Sequence, residues 1–276
     1  MKRFLLFTLI AATLMQGSAK VMKQQIDTMT VATTHIASPM TVTVAVPARY
    51  LSTMDNTRYP VVYLLNGYSG GYQDYRKNMR LDSLANVHNI IIVCPDGRDS
   101  WYWDSPVDKS MQMESCIVKD VVPAVDRELR TRANRDSRAI AGLSMGGHGA
   151  LWLATRHKEI FGNAGSMSGG VDITIPRFHN NWKMKDRLGT YKSNPKRWQN
   201  HSVMSRVSTL KNGELNLIIC CGSEDFFYQA NENLHKALNA RGIDHEYQIK
   251  PGGHSWPYWR STLPAILDFF DLHLAR

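Results

Sequence analysis

The feature that most constrains this chain is a set of short apolar runs that leave no polar face. Residues 61–65 read Val-Val-Tyr-Leu-Leu and residues 90–93 read Ile-Ile-Ile-Val; similar runs fall at 139–141, 164–167 and 215–220. A strand with one wet face alternates apolar and polar side chains. A strand apolar throughout must be covered on both faces, as in a parallel sheet flanked by helices. Helical patterns lie between the runs, over about 112–132, 146–157, 227–241 and 257–274, and Pro123 is placed to kink the first. Alternation of this kind specifies an α/β fold with crossover helices. Upstream, residues 20–58 alternate, most clearly at Thr41-Val42-Thr43-Val44-Ala45-Val46, which fits a half-exposed strand in an antiparallel hairpin. With no repeat or linker, residues 20–276 read as one domain.

The first 19 residues are expected to stand apart from it. Lys2 and Arg3 precede a 12-residue stretch, 4–15, broken only by two threonines, and Gly17-Ser18-Ala19 supplies small residues. This is the pattern of a secretory signal peptide cleaved after Ala19, and the apolar stretch is short for a membrane span. The expected product is secreted or periplasmic, without a membrane anchor, and a homo-oligomer is left open. Cys94, Cys116, Cys220 and Cys221 show no metal-type spacing, and three of them end apolar runs, so buried free thiols are expected.

One segment breaks the rhythm. Residues 171–213 lack clean periodicity, and a connection this long inside a compact domain is usually a lid or binding loop. Between Arg177 and Lys211 it holds nine Lys or Arg and a single acid, Asp186. The formal charge of +9 is therefore a local patch. No nucleic-acid-binding motif accompanies it, so nucleic acid is not an expected partner.

The chemistry is carried by Gly142-Leu143-Ser144-Met145-Gly146, which follows a predicted strand and opens a predicted helix. In that context G-x-S-x-G is a nucleophile elbow: a tight turn lifts the Ser144 hydroxyl above the sheet. It also leaves the Met145 N–H at a helix N-terminus, aimed at developing negative charge. Serine needs a base. Of ten histidines, His254 lies in a glycine-rich loop just before the last helix, whereas His148, within the elbow helix, reads as structural. The base needs a carboxylate to hold its tautomer. Asp225 follows the strand ending at 221, and catalytic loops lie at the carboxyl ends of strands; Glu224 and Asp172 are the alternatives. The order Ser144, Asp225, His254 is that of α/β-hydrolases. The glycine-rich loop 66–71 after the first buried strand offers the Tyr68 N–H as second oxyanion donor. No metal or cofactor is called for.

Residues 64–70 (Leu-Leu-Asn-Gly-Tyr-Ser-Gly), Pro95-Asp96-Gly97, 142–147, Gly222 with Asp225, and Gly253-His254 resemble, in that order, the motifs of the esterase D-like family. The family includes S-formylglutathione hydrolases, tributyrin esterases, feruloyl and acetylxylan esterases, and mycolyltransferases. The resemblance spans about residues 40–272. It implies an α/β-hydrolase fold, mostly parallel with an N-terminal antiparallel hairpin and helices on both faces. It also implies a serine esterase with Ser144, Asp225 and His254 as triad and the Tyr68 and Met145 N–H groups as oxyanion hole. Asn66 departs from the family, where histidine often precedes the glycine.

The expected function is an exported serine esterase that removes short acyl, acetyl or feruloyl groups from carbohydrate or small esters. An acyltransferase shares the same triad and stays open; a thioesterase of the S-formylglutathione hydrolase type fits poorly with export. Trp101, Tyr102 and Trp103 follow the second buried strand, and Trp182 and Trp198 lie in the long segment. All five are candidates to stack on a sugar or phenolic acyl group. The basic segment is expected to draw in acidic, uronate-bearing substrates.

Overall fold

The computed structural model describes residues 22–52 and 56–276; the expected signal peptide, 1–19, lies outside the described residues. The strands are β1 (Ile26–Val31), β2 (Met40–Ala45), β3 (Val61–Leu65), β4 (Ile91–Pro95), β5 (Arg138–Leu143), β6 (Asn163–Met167), β7 (Asn216–Gly222) and β8 (Glu246–Lys250). They form one eight-stranded sheet in the order β1-β2-β4-β3-β5-β6-β7-β8. β2 pairs antiparallel with both β1 and β4, and every other pairing is parallel. This is the α/β-hydrolase architecture that the sequence implied.

Five longer helices cover the sheet: α1 (Leu81–His88), α2 (Val122–Glu128), α3 (Met145–Arg156), α4 (Tyr228–Ala240) and α5 (Trp256–His273). The uniform apolar runs are explained by two cores, one on each face. Val61, Tyr63 and Leu65 of β3 join Val125, Leu153 and Leu234 from α2, α3 and α4. Val62 and Leu64, pointing the other way, join Ala85, Ile266 and Phe270 from α1 and α5. Each such side chain fully removed from water contributes about 1.5–3 kcal/mol. The sheet is thus a shared wall, and the carboxyl ends of its parallel strands form one rigid rim.

Strand β2 differs from expectation. Its alternation suggested a wet face, yet Thr43 is as buried as Val42. The cause is its place in the sheet, between β1 and β4, where both cores reach it. The π-helical turn at Cys116–Val121 runs directly into α2, so Pro123 lies within a continuous helical run, and the widened turn stands just ahead of the proline that cannot donate to it. The long segment holds only short helical pieces, among them Met184–Leu188 and Pro195–Asn200. All four cysteines are buried and unpaired. Burial pushes the Cys116 thiol up to about 11 and the Cys220 thiol up to about 12, so neither supplies a thiolate near neutral pH.

Candidate active site

Ser144 stands between β5 and α3 with φ 57° and ψ −119°, a backbone state costly for a side-chain-bearing residue. Two glycines make it attainable. A Cβ at Gly142 would lie 2.3 Å from the Gly146 carbonyl oxygen, and one at Gly146 would lie 2.1 Å from the Leu65 carbonyl oxygen. The turn is closed by Ser144 N–H donating to Met167 O (2.9 Å), which ties it to the end of β6.

Above this turn the structure brings three separated residues into line. Ser144 Oγ lies 2.8 Å from His254 Nε2. His254 Nδ1 lies 2.8 and 3.0 Å from the two carboxylate oxygens of Asp225. The self-consistent protonation has Nδ1–H donating to Asp225 and Nε2 accepting from the serine hydroxyl. The Asp225 side chain is 0% exposed and that of His254 15%. The carboxylate is sealed beneath the imidazole, and its Oδ1 also accepts from Phe227 N–H (2.8 Å). Glu224 is exposed, and Asp172 is engaged by Thr174 N–H and Oγ–H; neither reaches the histidine.

Gly67, Tyr68, Ser69 and Gly70 line the same cavity as Ser144, an open cleft of about 460 Å³. Met145 is the first residue of α3, where N–H groups have no partner within the helix. Behind this loop is a residue the sequence reading undervalued. Buried Asn66 donates from Nδ2 to Gly67 O (2.9 Å) and accepts at Oδ1 from Gly97 N–H (2.9 Å). Tyr102 O–H donates to Asn66. The departure at Asn66 thus leaves the loop clamped to the end of β4.

The aromatic candidates divide. Trp182 lines the cleft that holds Ser144 and stacks on Phe226, with centroids 5.7 Å apart. Trp101, Tyr102, Trp103 and Trp198 do not face substrate; each is at most 1% exposed. They hold the framework instead. The indole N–H groups of Trp101 and Trp103 donate to the carbonyls of Trp182 and His201, pinning the long segment onto the domain, and that of Trp198 donates to Gly189 O within the segment. His148 is wholly buried within this packing and donates from Nδ1 to Gly170 O (3.0 Å). Burial pushes its imidazole down to about 3, so it stays neutral and structural.

Sequence reasoning did not single out Asp74, Phe226, Trp256 and Trp259, which complete the cleft. Trp256 and Trp259 follow the histidine so closely that its loop could have pointed to them. Phe226, 40% exposed, lies with its ring centroid 4.2 Å from that of His254 and offers a free apolar face. Asp74 brings a carboxyl group to the cleft, and burial, with Asp96 nearby, raises its pKa.

A serine at a strand-to-helix turn, over a mostly parallel sheet and against a histidine from the last loop, defines the α/β-hydrolase class. The family model described as "Putative esterase" matches residues 33–270, and the chain belongs to that family. It is 24% identical over 239 residues to an acetyl esterase of Caldicellulosiruptor saccharolyticus, covering 81% of this chain and 87% of the relative. It is 28% identical over 222 residues to esterase Rv1288 of Mycobacterium tuberculosis, covering 71% of this chain and only 48% of that longer protein. A solved ferulic acid esterase superposes with a TM-score of 0.77 at 25% identity, covering 90% of this chain and 98% of its own. The chain is a carboxylic ester hydrolase.

Proposed function

We propose that this enzyme is an exported serine esterase that works through an acyl-enzyme, with Ser144 as nucleophile, His254 as base and Asp225 as its orienting carboxylate. The observation that carries the reading is the continuous contact from Asp225 through both imidazole nitrogens to Ser144 Oγ. Attack of Oγ on the ester carbonyl passes its proton to Nε2. The imidazolium is stabilised by Asp225, and the tetrahedral oxyanion lies toward the Tyr68 and Met145 N–H groups. Collapse expels the alcohol, which takes the proton back. Water, deprotonated by the same nitrogen, then releases the acid.

Tyr68, Trp182, Phe226, Trp256 and Trp259 surround the serine with aromatic faces. Such walls suit a short acyl chain or a planar phenolic acyl group. The relatives' names, acetyl esterase and ferulic acid esterase, favour acetyl and feruloyl esters. The amino-terminal pattern at 1–19 supports export, with mature protein beginning at Lys20.

The test is pre-steady-state hydrolysis of 4-nitrophenyl acetate. A burst of one nitrophenolate per enzyme is expected, with an acetyl adduct on the peptide carrying Ser144. Ser144→Ala should show no burst and lose about 10⁶-fold in turnover. A variant retaining more than about a hundredth of the wild-type rate, against that expected loss, would remove Ser144 from the chemistry.

A further inference from the structure

The long segment's nine cations are not equivalent. Lys183 pairs with Asp99 (3.1 Å) and Arg187 with Asp108 (2.7 Å). Arg177 donates to Phe226 O, Arg197 to Leu188 O and Arg206 to Thr209 Oγ1. Lys183, Arg187 and Arg177 tie the segment to the rest of the domain, and Arg197 and Arg206 bond within it. The other four are Lys185, Lys192, Lys196 and Lys211; the first two stand out by position, and among the described residues neither ammonium has a carboxylate partner. Both line an open cavity of about 390 Å³ shared with His179, Asn180, Thr190 and Tyr191. That volume is in the range of small-molecule sites. Its lining contains two ammonium groups, an amide, two hydroxyls and an imidazole, and no acid.

The walls are held from behind. The His179 ring lies on Tyr191 with centroids 3.7 Å apart and planes 16° apart, and both rings meet the buried Trp198. His179 Nε2–H donates to Thr174 O (2.8 Å), which fixes that imidazole. The cavity also adjoins the catalytic cleft. Asn180 lines one and Trp182 the other, and two residues span at most about 7 Å. Charge is therefore segregated along the surface: a carboxyl group, Asp74, lines the cleft that holds Ser144, and Lys185 and Lys192 line the cavity beyond Trp182.

We infer that the cavity formed by His179, Asn180, Lys185, Thr190, Tyr191 and Lys192 binds an anionic sugar residue, a hydroxylated ring carrying a carboxylate, on the alcohol side of the ester. The ammonium groups meet the carboxylate, the amide and hydroxyls meet ring hydroxyls, and the Tyr191 ring edge gives an apolar contact. The assignment to the alcohol side rests on the esterase reading above. Asp74 disfavours a negative acyl group at the serine, so the charge of the substrate belongs on the glycan that trails across the segment.

The test is calorimetric titration of the full chain with trigalacturonate, which carries no ester and is not turned over. At low salt it should bind at least about tenfold more tightly than neutral xylotriose, a difference of about 1.4 kcal/mol. The preference should shrink as salt shortens the screening length to about 8 Å and below. Lys185→Gln combined with Lys192→Gln should lose that tenfold. Its melting temperature and its kcat/KM on 4-nitrophenyl acetate should be unchanged, since neither lysine touches the cleft or holds the fold. Equal binding of both trisaccharides would overturn the inference, as would undiminished affinity in the double variant. Complete displacement by inorganic sulfate at matched ionic strength would also overturn it, because the cavity would then be a general anion face. Failure of the esterase reading would appear separately, as a missing burst with trigalacturonate binding intact.

Discussion

Asp225 illustrates how much one side chain is asked to do. Its carboxylate receives His254 Nδ1 and the Phe227 N–H together; in the proposed mechanism the first contact orients the base, and the second holds the turn that leads into α4. Asparagine would fill the same space but would present an amide N–H or force the imidazole into the other tautomer. Asp225→Asn should therefore lower kcat by about 10⁴-fold with the fold retained. Exposed Glu224→Gln should stay within about twofold, as expected of a surface change. The opposite ranking, measured on any accepted ester, would move the acid to Glu224. Tyr102 acts at one remove, through its hydrogen bond to Asn66 behind the Tyr68 loop. Tyr102→Phe deletes one hydrogen bond worth about 1 kcal/mol and should cost about fivefold in kcat with KM little changed. A shift in KM alone would make Tyr102 a binding residue. That Ser144, Asp225 and His254 would meet could be read from the sequence because each follows a strand in a known order. The Asn66–Tyr102 clamp could not, because it joins positions 36 apart that only the packed β3 and β4 ends bring together.

Elements were legible where one cause dictates them. The buried strands betrayed themselves by apolar side chains on both faces. Helix α1 was passed over because Asp82, Ser83 and Asn86 dilute its apolar stripe; only Leu81, Ala85 and His88 are buried. The long segment was opaque for a different reason. Its order comes from distant donors, such as Trp103 Nε1–H to His201 O, and local periodicity carries no trace of them. The elbow is the reverse case, an element whose letters encode its shape. Gly146 packs against the Leu65 and Asn66 carbonyls at 2.1 and 2.7 Å from where a Cβ would stand. Backbone atoms at the centre of the sheet have little room to retreat. Gly146→Ala should destabilise the protein by about 1–3 kcal/mol in urea denaturation, the usual cost of overpacking. It should also depress turnover by displacing Ser144 and the Met145 N–H. An unchanged midpoint and rate would mean that the end of β3 yields freely.

At the scale of the whole molecule, one sheet divides two cores, and each core carries part of the machinery: α3 and α4 on one face, α5 with the histidine loop on the other. Loss of either core dismantles the site, so catalysis and global stability should fail together on acidification. His148 is well placed to drive that failure. It lies wholly buried among Trp101, Trp103 and Trp152, and its Nε2 has no hydrogen-bond partner among the described residues. Burial holds it at about 3, whereas in an unfolded chain it titrates near the ordinary value of about 6.5. The sign follows from proton binding. Between these values the unfolded chain binds a proton that the folded one refuses, so this contribution is fully present above about 6.5 and is lost as pH falls toward 3. Each pH unit within the window shifts the balance by up to about 1.4 kcal/mol. His148→Asn removes the titrating ring while keeping an N–H near Gly170 O. The variant should be less stable than wild type at pH 7.5 but should lose stability less steeply toward pH 4, read as the slope of the urea-unfolding free energy against pH. Parallel slopes in the two proteins would show that His148 takes up its proton without unfolding the chain.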